Sequence, residues 1–272
     1  MQYIKKIVDS FKILFNNPKL FIPDLIGIII SFAIGIFFIN YNKLSSIDIY
    51  NPEIAAQIAK NIVNHPPTFK KFLISIFVAI LIAVALNLSI AAMRYIMIRK
   101  SIRKENISII NSYKESYNYI WKIMLIRIFT IMLYLIPATI FVTVLILLNI
   151  SQTLLAVLTI IIFLILILVV SSIFLFIYPE MIFKNKSAIL TIKETYVKFK
   201  SNYKKSIATF IISILITYSF IILTNLLLTY FGIRVLQFKP IFSILFVYIW
   251  IVKPLIQIPI RVWSDIFIFK NY

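Results

Sequence analysis

The feature that most constrains this sequence is an apolar run of 25 residues, LLAVLTIIIFLILILVVSSIFLFIY, at 154–178. A helix needs about 20 apolar residues to cross the ~30 Å hydrocarbon core of a bilayer. A strand of a closed membrane barrel would instead alternate apolar and polar residues over about ten positions. Because this run does not alternate, it predicts a transmembrane helix.

Similar runs recur along the chain, and we expect six transmembrane helices in total. Their approximate ranges are 20–41, 72–98, 123–148, 154–178, 206–231 and 241–263. The composition agrees, because 62% of the 272 residues are hydrophobic, whereas a soluble domain is nearer half apolar. The predicted fold is therefore all-α: one polytopic domain, 1–272, built as an integral membrane bundle of six transmembrane helices.

Basic residues are distributed unevenly between the two sides that six spans would define. Twenty of the 28 Lys and Arg residues lie in the N-terminal tail, the 94–122 and 180–205 links and the C-terminal end; six lie on the other side. Cytoplasmic loops of membrane proteins carry such an excess. We therefore expect a cell-membrane protein with both termini in the cytoplasm and a long external loop at 42–71. The net charge of +19 then indicates contact with anionic membrane lipids rather than with nucleic acid.

Two similar polar hexapeptides, SYKESY at 112–117 and TIKETY at 191–196, precede spans three and five. Around each, apolar residues recur at steps of three and four, which is typical of one helix face, and the other face is basic. Such helices lie in the plane of the membrane interface, here on the cytoplasmic side. The residues assigned to these interfacial helices are Tyr113, Tyr117, Trp121, Tyr196, Phe199, Lys193 and Lys200.

A weaker third copy of the hexapeptide, SFKILF, lies at 10–15, ahead of span one. Three copies predict three units, each an interfacial helix followed by a helical hairpin. The alternative is chance similarity, since any cytoplasmic link in a chain of this composition is rich in Lys and Tyr.

The stretch YPEMIFKNKSAILTIKETYVKFKSNYKKSIATFII at 178–212 resembles a block in polytopic families such as the membrane domain found beside some glycerophosphodiester phosphodiesterases. NNPKLFIPDL, at 16–25, is similar to the start of those domains. The positions that carry the resemblance of the first stretch are Pro179, Glu180, Ala188, Thr195 and Asn202. The resemblance implies a six-helix membrane domain and no activity, since the phosphodiesterase's catalytic barrel has no counterpart in this sequence.

Small residues recur at every fourth position in spans one and two. They are Gly27, Ser31 and Gly35 in span one, and Ala79 and Ala83 in span two, where Asn87 continues the series. Small side chains at this spacing allow helix backbones to approach closely in lipid. We predict that the two spans pack on each other or on a neighbour; a substrate path is the alternative.

Lys253 lies near the middle of span six and is followed by Pro254. An unpaired cation at the bilayer centre costs at least about 2.5–3.5 kcal/mol, so it normally faces a partner, water or the bundle interior. Proline also breaks the helical hydrogen-bond ladder there. Lys253, Asp24 and Asn87 are therefore the candidate intramembrane polar site. The alternative is that Lys253 extends its ammonium group to the cytoplasmic interface.

Three functions are compatible with these features. The sequence favours a non-enzymatic protein that organises membrane lipid or supports a partner, either another membrane protein or a second copy. With no Cys, one His and three Gly, it offers no thiolate site or phosphate-binding glycine loop, and we predict no metal and no cofactor. The alternatives are a transporter or channel with a site near Lys253 and Pro254, and a lipid-handling enzyme using Asp24, Glu180 or Asp265, because paired carboxylates can perform acid–base catalysis.

Overall fold

The computed structural model describes residues 2–41, 66–148, 151–235 and 252–272, and within them all regular secondary structure is helical. A short 3-10 helix, Pro18–Phe21, precedes the second α-helix. The α-helices of the described residues are α1 (Gln2–Asn16), α2 (Ile22–Tyr41), α3 (Pro66–Ile102), α4 (Ile109–Leu147), α5 (Gln152–Ile173), α6 (Ile177–Lys184), α7 (Ala188–Val235) and α8 (Lys253–Asn271). The predicted all-α class is confirmed for this part of the chain.

Five segments are long and apolar enough to cross a membrane. They are Pro18–Phe38, Phe69–Ile102, Ile109–Leu147, Thr153–Lys184 and Ala188–Leu226. They overlap predicted spans one to five, so the chain is a multi-pass membrane protein. Of the remaining predictions, residues 241–251 of span six and residues 42–65 of the external loop lie outside the described residues.

Two helix boundaries differ from the predicted span boundaries, and a proline lies in the first turn of the helix at each. α3 begins at Pro66, so residues 66–71 are helical rather than part of the external loop. Proline suits a first helical turn, where the missing N–H would have no partner. α5 ends at Ile173 rather than continuing to 178, and α6 begins at Ile177 with Pro179 in its own first turn.

The two hexapeptides continue into their spans differently. α4 runs without interruption from Ile109 to Leu147, so SYKESY and span three belong to one helix. In α7 the helix is broken at Asn202, whose φ of −134° and ψ of 37° are not helical. A break between the hexapeptide and the following span is therefore seen after the second copy, whereas α4 has none.

The packed core lies at one end of the bundle, the end that carries most of the basic residues. Towards the other end, apolar side chains such as Phe37, Phe77 and Ile160 are exposed. The largest fully buried side chains are Leu14, Leu20, Ile96, Met97, Ile98, Ile123, Ile126, Met181, Ile182, Trp263, Ile266 and Phe267. We call this region the core end.

α8 is the central helix of the core end and lies beside α1. Trp263 and Phe267 are fully buried, and the rings of Trp263 and Phe11 stack with centroids 5.0 Å apart. Lys270 Nζ is 2.8 Å from Asp9 Oδ2, and this hydrogen bond lowers the pKa of Asp9 below its usual value. The first and last described helices are therefore joined at the same end of the molecule.

Candidate functional site

A buried guanidinium joins three helices at the core end. Arg94 of α3 lies between Asp24, in the first turn of α2, and Asp265 of α8. Its Nη1 is 2.5 Å from Asp24 Oδ1, and its Nε is 2.8 Å from Asp265 Oδ2. Arg94 is 8% exposed and Asp24 is 6% exposed. Because water screens these charges little, loss of Arg94 would leave two carboxylates without the cation that they share. We call these three residues the Arg94 cluster.

A second arginine lies at the edge of the Arg94 cluster. Arg261 Nη1 is 3.8 Å from Asp24 Oδ1, beyond hydrogen-bond distance, and the Arg261 side chain is 61% exposed. The other carboxylate oxygen of Asp24, Oδ2, is buried and receives no hydrogen bond from any described residue. The cluster thus combines a partly free guanidinium with a buried acceptor that lacks a donor.

A cavity of about 530 Å³ opens beside the cluster, between α2, α3 and α8. The polar residues that line it are Asp24, Arg94, Arg261, Asn87 and Ser31. Cavities of about 300–1,000 Å³ are the usual size of small-molecule sites. We call this space the polar cavity.

The polar cavity brings together part of the polar site predicted from the sequence. Asp24 and Asn87 line it, and so does Pro254, whose neighbour Lys253 is the first residue of α8 and is half-buried. The prediction missed Arg94, which had been counted only among the basic residues of a cytoplasmic link. A signal was available, because Arg94 lies inside predicted span two and is surrounded by apolar residues in IAAMRYIMI, 90–98.

The small residues of spans one and two lie along the boundary of α2 and α3. The closest approach is at Gly27, where an added Cβ would lie 2.7 Å from Cδ1 of Ile90. Further along, the two helices border an apolar cavity of about 370 Å³. The small residues that line it are Ser31, Gly35, Ala79 and Ala83.

A second cluster of charges surrounds Glu180 of α6, whose side chain is fully buried. Lys198 and Lys184 lie 2.5 Å and 2.7 Å from its carboxylate oxygens, and Lys186 lies at 3.6 Å. The Tyr272 hydroxyl donates a hydrogen bond of 2.6 Å to Glu180 Oε2. Burial, and then this hydrogen bond, raise the pKa of Tyr272 above its usual value. These contacts tie α6 to α7 and to the residue that follows α8.

The acidic residue of each hexapeptide anchors its helix to basic residues of the preceding helix. Glu115 Oε1 is 2.6 Å from Arg99 Nη2, and its Oε2 is 3.0 Å from Lys100 Nζ, at the end of α3. Glu194 contacts Lys186, just after α6, in the corresponding way. The Glu of the repeated hexapeptide therefore has a similar structural role in both copies.

The Ser and Thr residues of the hexapeptides are all buried. They are Ser112, Ser116, Thr191 and Thr195, and none is more than 2% exposed; Ser10 of the third copy is also fully buried. The predicted aromatic face points the other way, since Tyr113, Tyr117, Trp121 and Tyr196 are between 45% and 69% exposed. Lys193 and Lys200 are exposed too, with Lys200 Nζ 5.1 Å from the Tyr196 ring centroid, whereas Phe199 is half-buried. The Ser and Thr side chains thus face the interior of the core end, and the exposed aromatic rings face outwards.

Comparison of the chain with protein families, with curated proteins and with solved structures finds no match. The resemblance to the membrane domain beside glycerophosphodiester phosphodiesterases therefore stays a prediction.

Proposed function

We propose that this chain is a six-span, non-enzymatic protein of the cell membrane that organises lipid at the cytoplasmic face. The contact between Lys270 and Asp9 supports an even number of spans, because α1 and α8 lie at the same end. The five spans of the described residues would leave the chain at the opposite end, and a sixth crossing within 241–263 would return it. The excess of basic residues at the core end supports a cytoplasmic position for it.

The observation that carries this proposal is the joint exposure of aromatic and basic side chains at the core end. Tyr117 and Trp121 of α4 are 54% and 69% exposed, and Tyr196 of α7 is 45% exposed next to Lys200. Aromatic rings favour the depth of lipid headgroups, and lysines there attract anionic lipid. The part of α7 before Asn202 is proposed to act as an interfacial helix, with its aromatic face in contact with lipid. In α4 the exposed aromatic rings lie at the start of an uninterrupted span, at headgroup depth.

The carboxylates considered for catalysis each have a structural role. Asp24 and Asp265 share Arg94, and Glu180 accepts contacts from Lys184, Lys198 and Tyr272. Each of the three carboxylates thus has a cationic partner, as buried charges require. This favours a non-enzymatic protein over the lipid-handling enzyme.

The proposal is tested by the preference of the protein for anionic lipid. Spin-labelled phosphatidylglycerol and phosphatidylcholine are compared in proteoliposomes containing the wild type or the double variant Lys193→Gln, Lys200→Gln. We expect the preference for phosphatidylglycerol to fall, since each basic residue contributes on the order of 1 kcal/mol at an anionic surface. The matched control is Lys70→Gln, Lys71→Gln at the opposite end, which leaves cytoplasmic charge unchanged. Equal preference in the wild type and in the Lys193, Lys200 variant would overturn the proposal.

A transporter or channel is the second candidate function, and the polar cavity favours it. Lys253 precedes Pro254 at the cavity wall, and a charge beside a helix break is found at transport sites. The test is ion flux from proteoliposomes loaded with KCl, in which Lys253→Met is expected to abolish the flux. Full flux through Lys253→Met would exclude this residue as part of a transport site.

A further inference from the structure

Three cavities lie along α2 and α3. The polar cavity shares Ser31 and Ala83 with the apolar cavity of about 370 Å³. That cavity shares Phe38 and Ala79 with a third one, of about 510 Å³, which reaches Tyr41 near the end of α2. The first two form a continuous row from the core end towards the opposite end, whereas the third lies beside the second, along the same stretch of α2 and α3.

The row is polar at one end and apolar for the rest of its length. Charged residues line only the cavity at the core end, whereas the other two are lined mainly by Ile, Ala, Val and Phe. At 1.5 Å per helical residue, the distance along α2 from Asp24 to Phe38 is about 21 Å. One leaflet of a ~30 Å hydrocarbon core is about 15 Å thick, so the apolar part can hold one acyl chain.

The polar end presents groups that fit a phosphate and a hydrogen-bond donor. The Arg261 side chain is 61% exposed and lies beyond hydrogen-bond distance of Asp24, its ion-pair partner among the described residues, so its N–H groups can bind an anion. A guanidinium group pairs well with phosphate oxygens. Asn87 lines the same cavity. Asp24 Oδ2 is buried without a donor among the described residues, and an N–H or O–H group of a ligand would satisfy it.

We propose that α2, α3 and α8 bind a single phospholipid molecule. Its phosphate contacts Arg261, a hydrogen-bond donor of its headgroup reaches Asp24, and one acyl chain lies between α2 and α3 past Ser31 and Ala83. Phosphatidylethanolamine and phosphatidylglycerol carry such a donor, whereas phosphatidylcholine does not. This inference deepens the proposed lipid role by adding one specific site to the general preference for an anionic surface.

The test is native mass spectrometry of protein reconstituted with equal amounts of these three phospholipids. We expect each chain to retain one phospholipid, which is phosphatidylethanolamine or phosphatidylglycerol rather than phosphatidylcholine. Arg261→Gln is expected to reduce the retained fraction by about tenfold, and Arg103→Gln, at an exposed arginine of the core end, is expected to leave it unchanged. Ala83→Phe is expected to abolish retention because the ring fills the junction of two cavities. Its matched control is Ala85→Phe, two positions away on the same helix. Each variant is first shown to melt within a few degrees of the wild type.

Two results would overturn the inference. The first is equal retention in the wild type, Arg261→Gln and Ala83→Phe. The second is binding of soluble glycerol phosphate at this site, sensitive to Arg261→Gln, with no retained phospholipid; the cavity would then serve a soluble phosphate compound. Loss of retained lipid in Arg261→Gln together with unchanged lipid preference in the Lys193, Lys200 variant would contradict the proposed function alone, so the two proposals can fail separately.

Discussion

At the scale of single residues, Arg94 is the side chain on which most depends, because it contacts carboxylates from two other helices. Replacing it by Met removes the nearest cation from Asp24, which is buried, and from Asp265, which is half-buried. Breaking a buried ion pair in this way costs about 3–5 kcal/mol. We expect Arg94→Met to lower the free energy of unfolding in detergent by about that amount.

The matched control for Arg94 is Arg103→Met, because the Arg103 side chain is 48% exposed and lies 3.8 Å from Glu105. An exposed pair contributes about 0–1 kcal/mol, so this variant should remain close to the wild type. Unfolding curves that coincide for Arg94→Met and Arg103→Met would show that the cluster is not the tie between α2, α3 and α8.

Tyr272 provides a prediction about pH. Its pKa is raised in the folded protein by burial and by the hydrogen bond to Glu180, so folding favours the neutral phenol. The stabilisation is complete below pH 10, the usual pKa of tyrosine, and is lost as pH rises towards the folded pKa. At pH 7, we expect the free energy of unfolding of Tyr272→Phe to be about 1.5 kcal/mol lower than that of the wild type. This value is near the lower end for hydrogen bonds to charged groups, because Tyr272 is half-exposed.

The measurement is the difference in melting temperature between wild type and Tyr272→Phe from pH 7 to 11. Other tyrosines titrate in both proteins and cancel. We expect the difference to shrink above pH 10. Tyr113→Phe is the control, because the Tyr113 hydroxyl pairs with that of another exposed tyrosine, Tyr117. A difference that is independent of pH would rule out the hydrogen bond to Glu180 as its cause.

At the scale of elements, the continuous α4 and the broken α7 can be compared directly. Spin labels at 110 and 132 in α4, and at 189 and 211 in α7, are both 22 residues apart at exposed positions. A straight helix of that length spans about 33 Å. We expect that separation in α4 and a shorter one in α7, measured by pulsed electron resonance, because Asn202 interrupts α7 between the labels. Equal distances in the two helices would contradict the break.

The hexapeptides show how far the sequence could predict these elements. The spacing of Tyr113 and Tyr117 correctly identified one helix face, and the aromatic rings of that face are exposed. The burial of Ser112 and Ser116 was not predictable from hydropathy, because the side of a membrane helix that contacts other helices need not be the most apolar one. The ion pairs of Glu115 could not be predicted either, since they depend on how the end of α3 lies against α4.

At the scale of the whole molecule, the described residues are closely packed at the core end, and their side chains are more exposed towards the other end. A run of about 20 apolar residues is typical of a transmembrane helix, and so five of the spans could be predicted from the sequence alone. The Arg94 cluster could not be predicted, because it requires α8 to pack against α2 and α3. These helices are far apart in the sequence, and no local pattern encodes their contact.

The central claim is that the core end faces the cytoplasm, and cysteine accessibility tests it most directly. The chain has no cysteine, so single cysteines can be introduced without a background. In intact cells, a membrane-impermeant maleimide should label Ser151→Cys and Asn40→Cys, at the end opposite the core. It should label Lys104→Cys and Asn185→Cys, at the core end, only after the membrane is permeabilised. Labelling of Lys104→Cys or Asn185→Cys in intact cells, with Ser151→Cys protected, would place the core end outside and contradict the account.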